Sequence, residues 1–216
     1  MVVEAREDVE LELHREGFGF VIGMDEVGRG AIAGPVVVVA VARRIDSAAA
    51  PAGLRDSKLL SINQRERLAP VAASWAHAWA LGSASAMEVD AHGIVPALRL
   101  AGTRALEQLW DQGLPPRHSV VLLDGTHNWL GGINPAPAAI RVRAKADRDC
   151  AVVAAASVIA KVERDREMTL AAAQAPAYGW ERNKGYGSAE HLEAVARHGV
   201  HPMHRASWIR STEPTP

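Results

Sequence analysis

The sequence predicts a mixed α/β fold, with helices packed on the faces of a central sheet. Two apolar segments near the start, 20–24 and 36–42, contain several valines, which favour strands. Further along the chain, segments with helical periodicity alternate with short apolar runs, an order that is typical of α/β proteins. At 216 residues the chain has the length of one domain.

The first two segments predict a β-hairpin rather than a nucleotide-binding unit. The dinucleotide-binding motif requires Gly-x-Gly-x-x-Gly between a strand and a helix. Here the spacing is Gly28-x-Gly30-x-x-x-Gly34, and the valine-rich segment 36–42 that follows favours a strand. A glycine-rich turn between two strands is therefore the better interpretation.

Local signals predict the remaining elements. Ser61 and Gln64 have the spacing of a capping box, so we expect a helix to begin at Ser61 and to be kinked or shortened at Pro70. Residues 1–17 predict a strand or a helix. The other expected elements are a strand over 74–83, a helix over 94–112 that ends at Gly113, strands over 119–123 and 140–144, a helix over 151–168, and a helix from Ser188 to His198 that ends at Gly199.

Composition indicates a soluble protein of a reducing compartment. Hydrophobic residues make up 48% and charged residues 23% of the chain, which is ordinary for globular proteins. Cys150 is the single cysteine, which excludes an internal disulfide and a zinc site built on several cysteines. The longest apolar run, 36–42, is too short to span a bilayer, and the acidic first 24 residues do not resemble a signal peptide. We therefore expect a cytoplasmic protein.

Carboxylates follow three of the predicted strands. Asp25 and the adjacent Glu26 end the first one, while Asp124 and Asp147 follow two later ones. A carboxylate at the end of an apolar strand is costly unless it is paired or bound to a cation. If neighbouring strand ends bring these acids together, their oxygen atoms suit Mg²⁺ or Mn²⁺. Two such ions about 3.5–4 Å apart can serve phosphodiester hydrolysis, so the sequence allows a metal-dependent nuclease.

A series of short motifs runs from about residue 18 to residue 208. They are Met24-Asp25-Glu26-Val27-Gly28-Arg29-Gly30 with Ala33-Gly34-Pro35, Asp56-Ser57-Lys58-Leu59, Leu123-Asp124-Gly125, Lys145-Ala146-Asp147, the stretch 154–162 with Arg164-Asp165, Lys184-Gly185-Tyr186-Gly187 with His191, and His204-Arg205 with Ser207. In this order, the motifs resemble the signature of the type 2 ribonucleases H, also called ribonuclease HII.

The resemblance implies a ribonuclease H-like fold, a mixed central sheet flanked by helices. A single catalytic domain would cover 1–216, with a small C-terminal helical substrate-binding extension over roughly 170–216. The implied activity is endonucleolytic: hydrolysis of the RNA strand of RNA/DNA hybrids, and nicking 5′ of single ribonucleotides in duplex DNA to leave 3′-hydroxyl and 5′-phosphate ends. Two divalent ions, Mg²⁺ or Mn²⁺, are expected during catalysis. A role in ribonucleotide excision repair and a monomeric state are expected, without a membrane partner; association with a replication clamp stays open.

By position, the resemblance assigns catalysis and metal binding to four acids. They are Asp25, Glu26, Asp124 and Asp147. Ala146 stands where the family usually has glycine, and Asp149 is a rival for the role of Asp147. Counting back from the motif 154–162 favours Asp147. Thr126 replaces the asparagine of the family, which leaves any contact there open.

Substrate recognition is assigned to a second set of residues. Gly28, Arg29 and Gly30 fall on the loop that senses the 2′-hydroxyl at the RNA–DNA junction, and Tyr186 falls on the tyrosine that stacks against the sugar on the DNA side. The 2′-hydroxyl distinguishes RNA from DNA, and glycines let backbone donors approach a sugar closely. Phosphate contacts, which position a duplex without reading its sequence, are expected from Lys58, Lys184 and Arg205.

Some residues and functions have alternative interpretations. Asp56 is as suited to ordering its loop as to touching substrate. His198, His201 and His204 lack cysteine partners, so we expect His204 to be a buried hydrogen-bonding residue rather than a zinc ligand. The sister type 3 ribonuclease H is disfavoured by the intact glycine motif and by the lack of a long N-terminal substrate-binding domain. An inactive nucleic-acid-binding protein is disfavoured by the presence of all four acids.

Overall fold

A five-stranded mixed sheet forms the centre of the computed structural model, which describes residues 4–44 and 49–209. The strands are β1 (Phe20–Val27), β2 (Val36–Arg43), β3 (Ala78–Ala84), β4 (Ser119–Asp124) and β5 (Ala139–Arg143). Their order across the sheet is β3-β2-β1-β4-β5. The pairs β1–β2 and β2–β3 are antiparallel, whereas β1–β4 and β4–β5 are parallel. The predicted mixed α/β fold and its first hairpin are confirmed.

Helices cover both faces of this sheet. Within the described residues they are α1 (Asp8–Arg15), α2 (Ile62–Trp75), α3 (Ala86–His92), α4 (Ile94–Asp111), α5 (Ala146–Asp149), α6 (Ala151–Gln174), α7 (Trp180–Asn183) and α8 (Ala189–His198). Short 3₁₀ helices lie at Ser57–Leu59, Pro116–His118, Pro176–Tyr178 and Ala206–Trp208.

Two apolar layers, one on each face of the sheet, hold the helices in place. β2 is buried over its whole length, and its alternate side chains face opposite layers. The odd-numbered valines of 37–41 pack with α6 and α2, and the even-numbered residues of 36–42 pack with α4. Gly23 lets α6 lie directly on β1, because a Cβ atom there would be 2.5 Å from the backbone of Val152.

Local sequence signals predict most of α2, but not its end. Ser61 caps the helix, and the capping box with Gln64 is formed in both directions. Pro70 lies on the exposed side of α2 and does not end it, so the alternative of a shortened helix is wrong. Water can satisfy the carbonyl that the missing N–H leaves free at an exposed position. Since α2 continues to Trp75, β3 begins at Ala78, later than predicted.

Helix α3 was not predicted, and α6 is longer than predicted. In α3, the Ser85 hydroxyl accepts from the Glu88 N–H, and the Glu88 carboxylate accepts from the Ser85 N–H at 2.8 Å. This Ser-x-x-Glu spacing is visible in the sequence and could have revealed the helix. α6 continues past the predicted end at 168 to Gln174, because the alanines of 171–173 are strong helix formers.

The C-terminal helices pack around a third apolar cluster. It contains Met168 of α6, Tyr178, Trp180 and Val195, and it includes Ala33 from the turn between β1 and β2. α6 passes through residue 170 without a break, and the division into a domain and an extension stays a prediction. No helix in the described part of the chain is long and apolar enough to cross a membrane.

His204 is buried beside this cluster, as predicted. Its Nε2 atom lies 3.1 Å from Nε2 of His191, which also accepts from Trp180 Nε1 at 3.0 Å. His191 Nδ1 lies 2.9 Å from the carbonyl oxygen of Tyr186, so Nδ1 must carry the proton and Nε2 must act as the acceptor. The histidines thus serve hydrogen bonding and packing, which agrees with the prediction made for His204.

Candidate active site

The parallel strands β1 and β4 bring two of the predicted acids side by side. Met24 pairs with Leu123 across these strands, so the residues that follow them, Asp25 near the end of β1 and Asp124 at the end of β4, lie side by side. The Asp124 carboxylate also accepts from the backbone N–H of Ala146 at 2.8 Å. That bond fixes the start of α5 beside the end of β4.

Asp147 and Asp149, the two rivals for the fourth position, are placed differently by α5. Asp147 is 4% exposed and lies 3.5 Å from Nζ of Lys58. Asp149 is exposed and forms an ion pair with Arg143 at 2.9 Å, away from the other acids. This placement supports Asp147 as the fourth acid.

Burial and mutual repulsion perturb the acids of this cluster. Burial, followed by the negative charge of Glu26, raises the pKa of Asp25 to about 8. Burial raises the pKa of Asp147 to about 6, with further contributions from the charges of Asp124 and Asp56. The pKa of Glu26 is also raised by burial, although Arg29 opposes the shift. The electrostatic interactions therefore link all four predicted acids.

Two basic side chains and one loop acid border the cluster. Arg29 lies 3.3 Å from Glu26, and the largely exposed Lys58 lies between Asp147 and Asp56, at 3.5 and 3.9 Å. Asp56 accepts from the backbone N–H of Lys58 at 2.9 Å and so caps the short 3₁₀ helix of that loop. Its loop-ordering role, one of the two interpretations, is thus present in the structure.

The donor set suits a hard divalent cation. Burial, with added repulsion between neighbouring carboxylates, raises the pKa values of Asp25, Glu26 and Asp147, so the ionised forms of these acids are disfavoured without a cation. Oxygen-ligated Mg²⁺ or Mn²⁺ would compensate the negative charge of those forms. Within residues 4–44 and 49–209, no three His, Cys, Asp or Glu side chains already converge as metal ligands do. The four acids therefore offer the oxygen ligands that such an ion prefers, and they lie near one another. Their side chains would have to move to coordinate it.

A cavity of about 410 Å³ opens in front of the acids. Three of them, Asp25, Glu26 and Asp124, line it. The remaining wall is formed by Val27, Gly28, Arg29, Gly30, Ser57, Lys58, Arg65, Ser157, Lys161 and Tyr186. A larger cavity of about 880 Å³ lies between α2, α6 and α7, but none of the four acids lines it. The chemistry therefore points to the smaller cavity, which we call the acid cleft.

The predicted sensing loop forms part of the wall of the acid cleft. Gly28 has a φ of +80°, and a Cβ atom there would lie 2.1 Å from Nε of Arg164, so both conformation and space require glycine. Gly30 differs, because a Cβ atom at this position would meet no protein atom within 4 Å. The small size of Gly30 therefore leaves open space in front of its backbone, where a ligand could approach.

Tyr186 lines the same cleft as Asp25, Glu26 and Asp124. Its side chain is 38% exposed, and its ring has the Arg164 guanidinium at 5.5 Å and Lys161 Nζ at 5.9 Å from the ring centre. The hydrogen bond from His191 holds its backbone carbonyl. An aromatic face of this kind, fixed through its backbone and partly open, can stack against a flat ligand surface.

Two of the three residues predicted to contact phosphate, Arg205 and Lys184, do not line the acid cleft. Arg205 is 0% exposed and donates to backbone carbonyls, which does not favour the predicted contact with phosphate; that contact stays a prediction. Sequence alone could not separate a buried arginine from an exposed one. Lys184 lines the larger cavity, where Nζ donates to the Glu181 carbonyl at 2.7 Å; its contact with phosphate stays a prediction. Lys58 is the member of the set that lines the acid cleft.

Three further residues of the cleft have no role in the sequence-based assignment. The hydroxyl oxygens of Ser157 and Ser57 lie 2.9 Å apart in a hydrogen bond, and a hydrogen bond from the Ser157 hydroxyl to Asp25 opposes the rise in the pKa of that acid. A lone polar residue within the apolar run 151–160 is the signal that could have identified it. Arg65 donates to the Ser57 carbonyl at 2.9 Å, and Lys161 pairs with Asp165 at 2.7 Å.

A mixed sheet whose neighbouring strand ends place carboxylates beside an open cleft defines the class of ribonuclease H-like hydrolases. Comparison with solved structures agrees. The structure of the PCNA:RNase HII complex from Archaeoglobus fulgidus aligns with a TM-score of 0.68 at 25% identity, over 91% of this chain and 98% of the other. Bst-RNase HIII in complex with Mn²⁺ aligns with a TM-score of 0.70 at 24% identity, over 91% of this chain and 69% of the other.

Sequence comparison identifies the family. The family model for Ribonuclease HII matches residues 22–211. Ribonuclease HII from Streptomyces avermitilis is 45% identical over 192 residues, which are 89% of this chain and 78% of the relative. Ribonuclease HII from Thermosynechococcus vestitus is 40% identical over 203 residues, 93% of this chain and 89% of the relative. The chain belongs to the ribonuclease HII family and is a ribonuclease H, an endonuclease that acts on RNA paired with DNA.

Proposed function

We propose that this ribonuclease H nicks duplex DNA on the 5′ side of single embedded ribonucleotides, in addition to cutting the RNA strand of RNA/DNA hybrids. The products would carry 3′-hydroxyl and 5′-phosphate ends. One observation carries the proposal: three of the four acids (Asp25, Glu26 and Asp124), the glycine motif and Tyr186 line a single cleft of about 410 Å³. Such an activity would suit ribonucleotide excision repair in the cytoplasm, carried out by a monomer.

Recognition of one ribonucleotide requires a contact to its 2′-hydroxyl, because this group distinguishes it from its deoxy neighbours. Arg29 and Gly30 are exposed residues that line the cleft, and their backbone N–H groups can supply donors. Tyr186 lies where its ring can stack on the neighbouring deoxyribose, and an added 2′-hydroxyl would crowd that contact. The two contacts together would favour a junction between a ribonucleotide and DNA.

Asp25, Glu26, Asp124 and Asp147 would hold Mg²⁺ or Mn²⁺ in the cleft. A pair of such ions, when bound, supplies activation of the attacking water and stabilisation of the leaving oxygen. The raised pKa values of Asp25, Glu26 and Asp147 support this assignment, since a bound cation would favour their ionised forms. A related precedent is the structural neighbour Bst-RNase HIII, whose structure is described as a complex with Mn²⁺.

The neighbours of the acids would orient the reaction. Lys58 has a 77% exposed side chain beside Asp147, so it can reach a phosphate of the strand that enters the cleft. Ser157 and Ser57 form a buried hydroxyl pair next to Asp25 and would keep its carboxylate turned towards the cleft. These side chains would position the phosphate and the Asp25 carboxylate and would not transfer protons.

The proposal is tested with a DNA duplex that carries one ribonucleotide, incubated with Mg²⁺, with Mn²⁺ and with EDTA. We expect a nick at the ribonucleotide with either metal and none with EDTA. Cutting of a continuous RNA/DNA hybrid but not of this duplex would move the assignment to the activity of the type 3 enzymes. Binding of both substrates without any cutting would favour a nucleic-acid-binding protein.

A further inference from the structure

Two buried arginines hold the loop of residues 28–35, here called the glycine loop, from its inner side. Arg205 donates to the backbone carbonyls of Gly28 at 2.7 Å, Arg29 at 2.9 Å and Gly34 at 3.2 Å. Arg164 donates to the backbone carbonyls of Ala33 at 3.1 Å, Pro35 at 3.0 Å and Lys184 at 2.8 Å. Five of these six acceptors belong to the glycine loop.

This arrangement is costly for stability alone. Both guanidinium groups are fully buried, and all six hydrogen bonds end on carbonyl oxygens rather than on carboxylates. Burial lowers the pKa of Arg164, and burial together with the positive charge of Arg164 lowers the pKa of Arg205 to about 10. Apolar residues can often fill such a volume at less cost than buried charges. The arginines therefore serve the geometry of the loop.

Close packing makes that geometry specific. Gly34 has a φ of +82°, and a Cβ atom there would lie 2.3 Å from Sδ of Met168. Gly185 likewise approaches the carbonyl of Ala33, and its own carbonyl accepts from the N–H groups of Ile32 and Ala33 at 2.9 and 3.0 Å. The loop is thus fixed on α6 and on the segment before α8.

The arginines also determine which backbone groups face the cleft. In a trans peptide the C=O of one residue and the N–H of the next point in opposite directions. The carbonyls of Gly28 and Arg29 point inward to Arg205, so the N–H groups of Arg29 and Gly30 point away from it. Arg29 and Gly30 are exposed and line the acid cleft. Both N–H groups are therefore presented to whatever occupies it.

We propose that Arg205, assisted by Arg164, is a positioning residue that sets the peptide orientation through which the glycine loop reads the 2′-hydroxyl. This inference rests on the proposed function, in which the loop makes that contact. Arg205 itself touches neither the substrate nor the reacting atoms. This positioning role differs from the phosphate contact that the sequence pattern suggested for Arg205.

The test compares Arg205→Lys with Arg43→Lys. Lysine keeps the charge but lacks the planar fork that reaches three carbonyls at once. Arg43 is a matched control, because it is 4% exposed, donates to the Trp75 carbonyl at 2.8 Å and ends β2 opposite to the glycine loop. The measurements are kcat and KM on the single-ribonucleotide duplex, affinity for the same duplex made entirely of DNA, and spectra of ¹⁵N-glycine-labelled protein.

For Arg205→Lys we expect kcat to fall at least about tenfold while KM and affinity for the all-DNA duplex change less than about threefold. The Gly30 resonance should shift in this variant and not in Arg43→Lys, which should keep its kcat within about twofold of wild type. If Arg205→Lys does not fold, Arg164→Lys gives the same comparison from the other end of the loop.

An unchanged kcat, or an equal fall in kcat for Arg205→Lys and Arg43→Lys, would overturn the positioning role. The wild-type protein separates this result from a failure of the proposed function. If wild type cuts the continuous hybrid but not the single-ribonucleotide duplex, the proposed nicking is wrong. In that case, kcat of Arg205→Lys and of Arg43→Lys is compared on the continuous hybrid, and an equal kcat in the two variants would overturn the positioning role of Arg205.

Discussion

Each of the four predicted acids has a different neighbour that partly compensates its negative charge. Asp25 has the Ser157 hydroxyl, Glu26 has Arg29, Asp124 has the Ala146 N–H, and Asp147 has Lys58. These contacts compensate part of the negative charge, yet the pKa of Asp25 still rises to about 8 through burial and the proximity of Glu26. A divalent cation bound beside these acids would favour their ionised forms and so offset this shift.

Asp124→Asn should abolish cleavage and preserve the fold. The amide can still accept from the Ala146 N–H, but it removes one negative charge from the proposed metal ligands. We expect the rate to fall at least about a hundredfold, measured on a single-ribonucleotide duplex, with an unchanged circular dichroism spectrum. Asp149→Asn is the control, since Asp149 pairs with Arg143 outside the cleft. Activity near wild type in Asp124→Asn would refute the assignment of the acids.

Tyr186→Ala should impair cleavage at a lone ribonucleotide. Loss of an aromatic stacking contact costs about 1–3 kcal/mol, so kcat/KM should fall by about tenfold or more. Leu192→Ala removes a partly exposed apolar side chain from α8, away from the cleft, and should have little effect. Equal activity of Tyr186→Ala and Leu192→Ala would remove the stacking role.

Single residues also show what sequence can and cannot predict about the site. Asp147 could be preferred to Asp149 because motif spacing depends on order along the chain. The burial of Arg205 could not be predicted, because its motif says nothing about burial, and an arginine beside a nucleic-acid site suggests phosphate binding. The partners of Arg205 lie more than 170 positions away in the sequence. Only the folded structure relates such distant residues.

At the scale of elements, α1 is tied to the start of α6 by a buried acid. Glu10 accepts from the Val152 N–H at 2.9 Å, in the first turn of α6. Burial raises the pKa of Glu10 from 4.5 to about 7, although the Val152 bond opposes the shift. A raised folded-state pKa means that the folded form holds the proton more tightly than the unfolded form. This contribution to stability is complete below about pH 4.5 and is lost as the pH rises through about 7.

Glu10→Gln should remove that pH dependence. The wild-type protein is expected to lose on the order of 2–4 kcal/mol of unfolding free energy between pH 4.5 and pH 8 from this group, and the variant should not. Urea unfolding of both proteins at several pH values measures the difference. Parallel profiles for wild type and Glu10→Gln would contradict the burial of an ionisable Glu10.

Element boundaries were predictable where a local signal exists. The capping box of Ser61 and Gln64 begins α2, and the box of Ser85 and Glu88 shows that a similar signal was available for α3. Pro70 was misleading, because an exposed proline can lie inside a helix that tertiary packing stabilises. Helix ends depend on packing across the chain, which local patterns do not contain.

At the scale of the whole molecule, strand order creates the site. Because β4 pairs with β1 in parallel, Asp124 lies beside Asp25, although 99 positions separate them in the sequence. Periodicity predicted both strands but not their adjacency, since strand pairing is decided by the global fold. The convergence of the acids could therefore be expected only through the resemblance to a known family.

Divalent metal should stabilise the entire protein if the acids hold it. A ligand that binds only the folded state raises the unfolding free energy by about 2.7 kcal/mol at about one hundred times its Kd. We expect Mn²⁺ or Mg²⁺ to raise the melting temperature of the wild type and to have a much smaller effect on Asp124→Asn. An equal shift in both proteins would place the bound metal elsewhere.

The most direct measurement maps the cut made in a DNA duplex with one ribonucleotide and identifies the new ends. With Mg²⁺ or Mn²⁺, the wild type should cut on the 5′ side of the ribonucleotide and leave 3′-hydroxyl and 5′-phosphate ends, because water attacks the phosphodiester bond at the acid cleft. A cut on the 3′ side with a 2′,3′-cyclic phosphate, formed equally well in EDTA, would mean that the 2′-hydroxyl is the nucleophile. That result would contradict a metal-dependent site built from these acids.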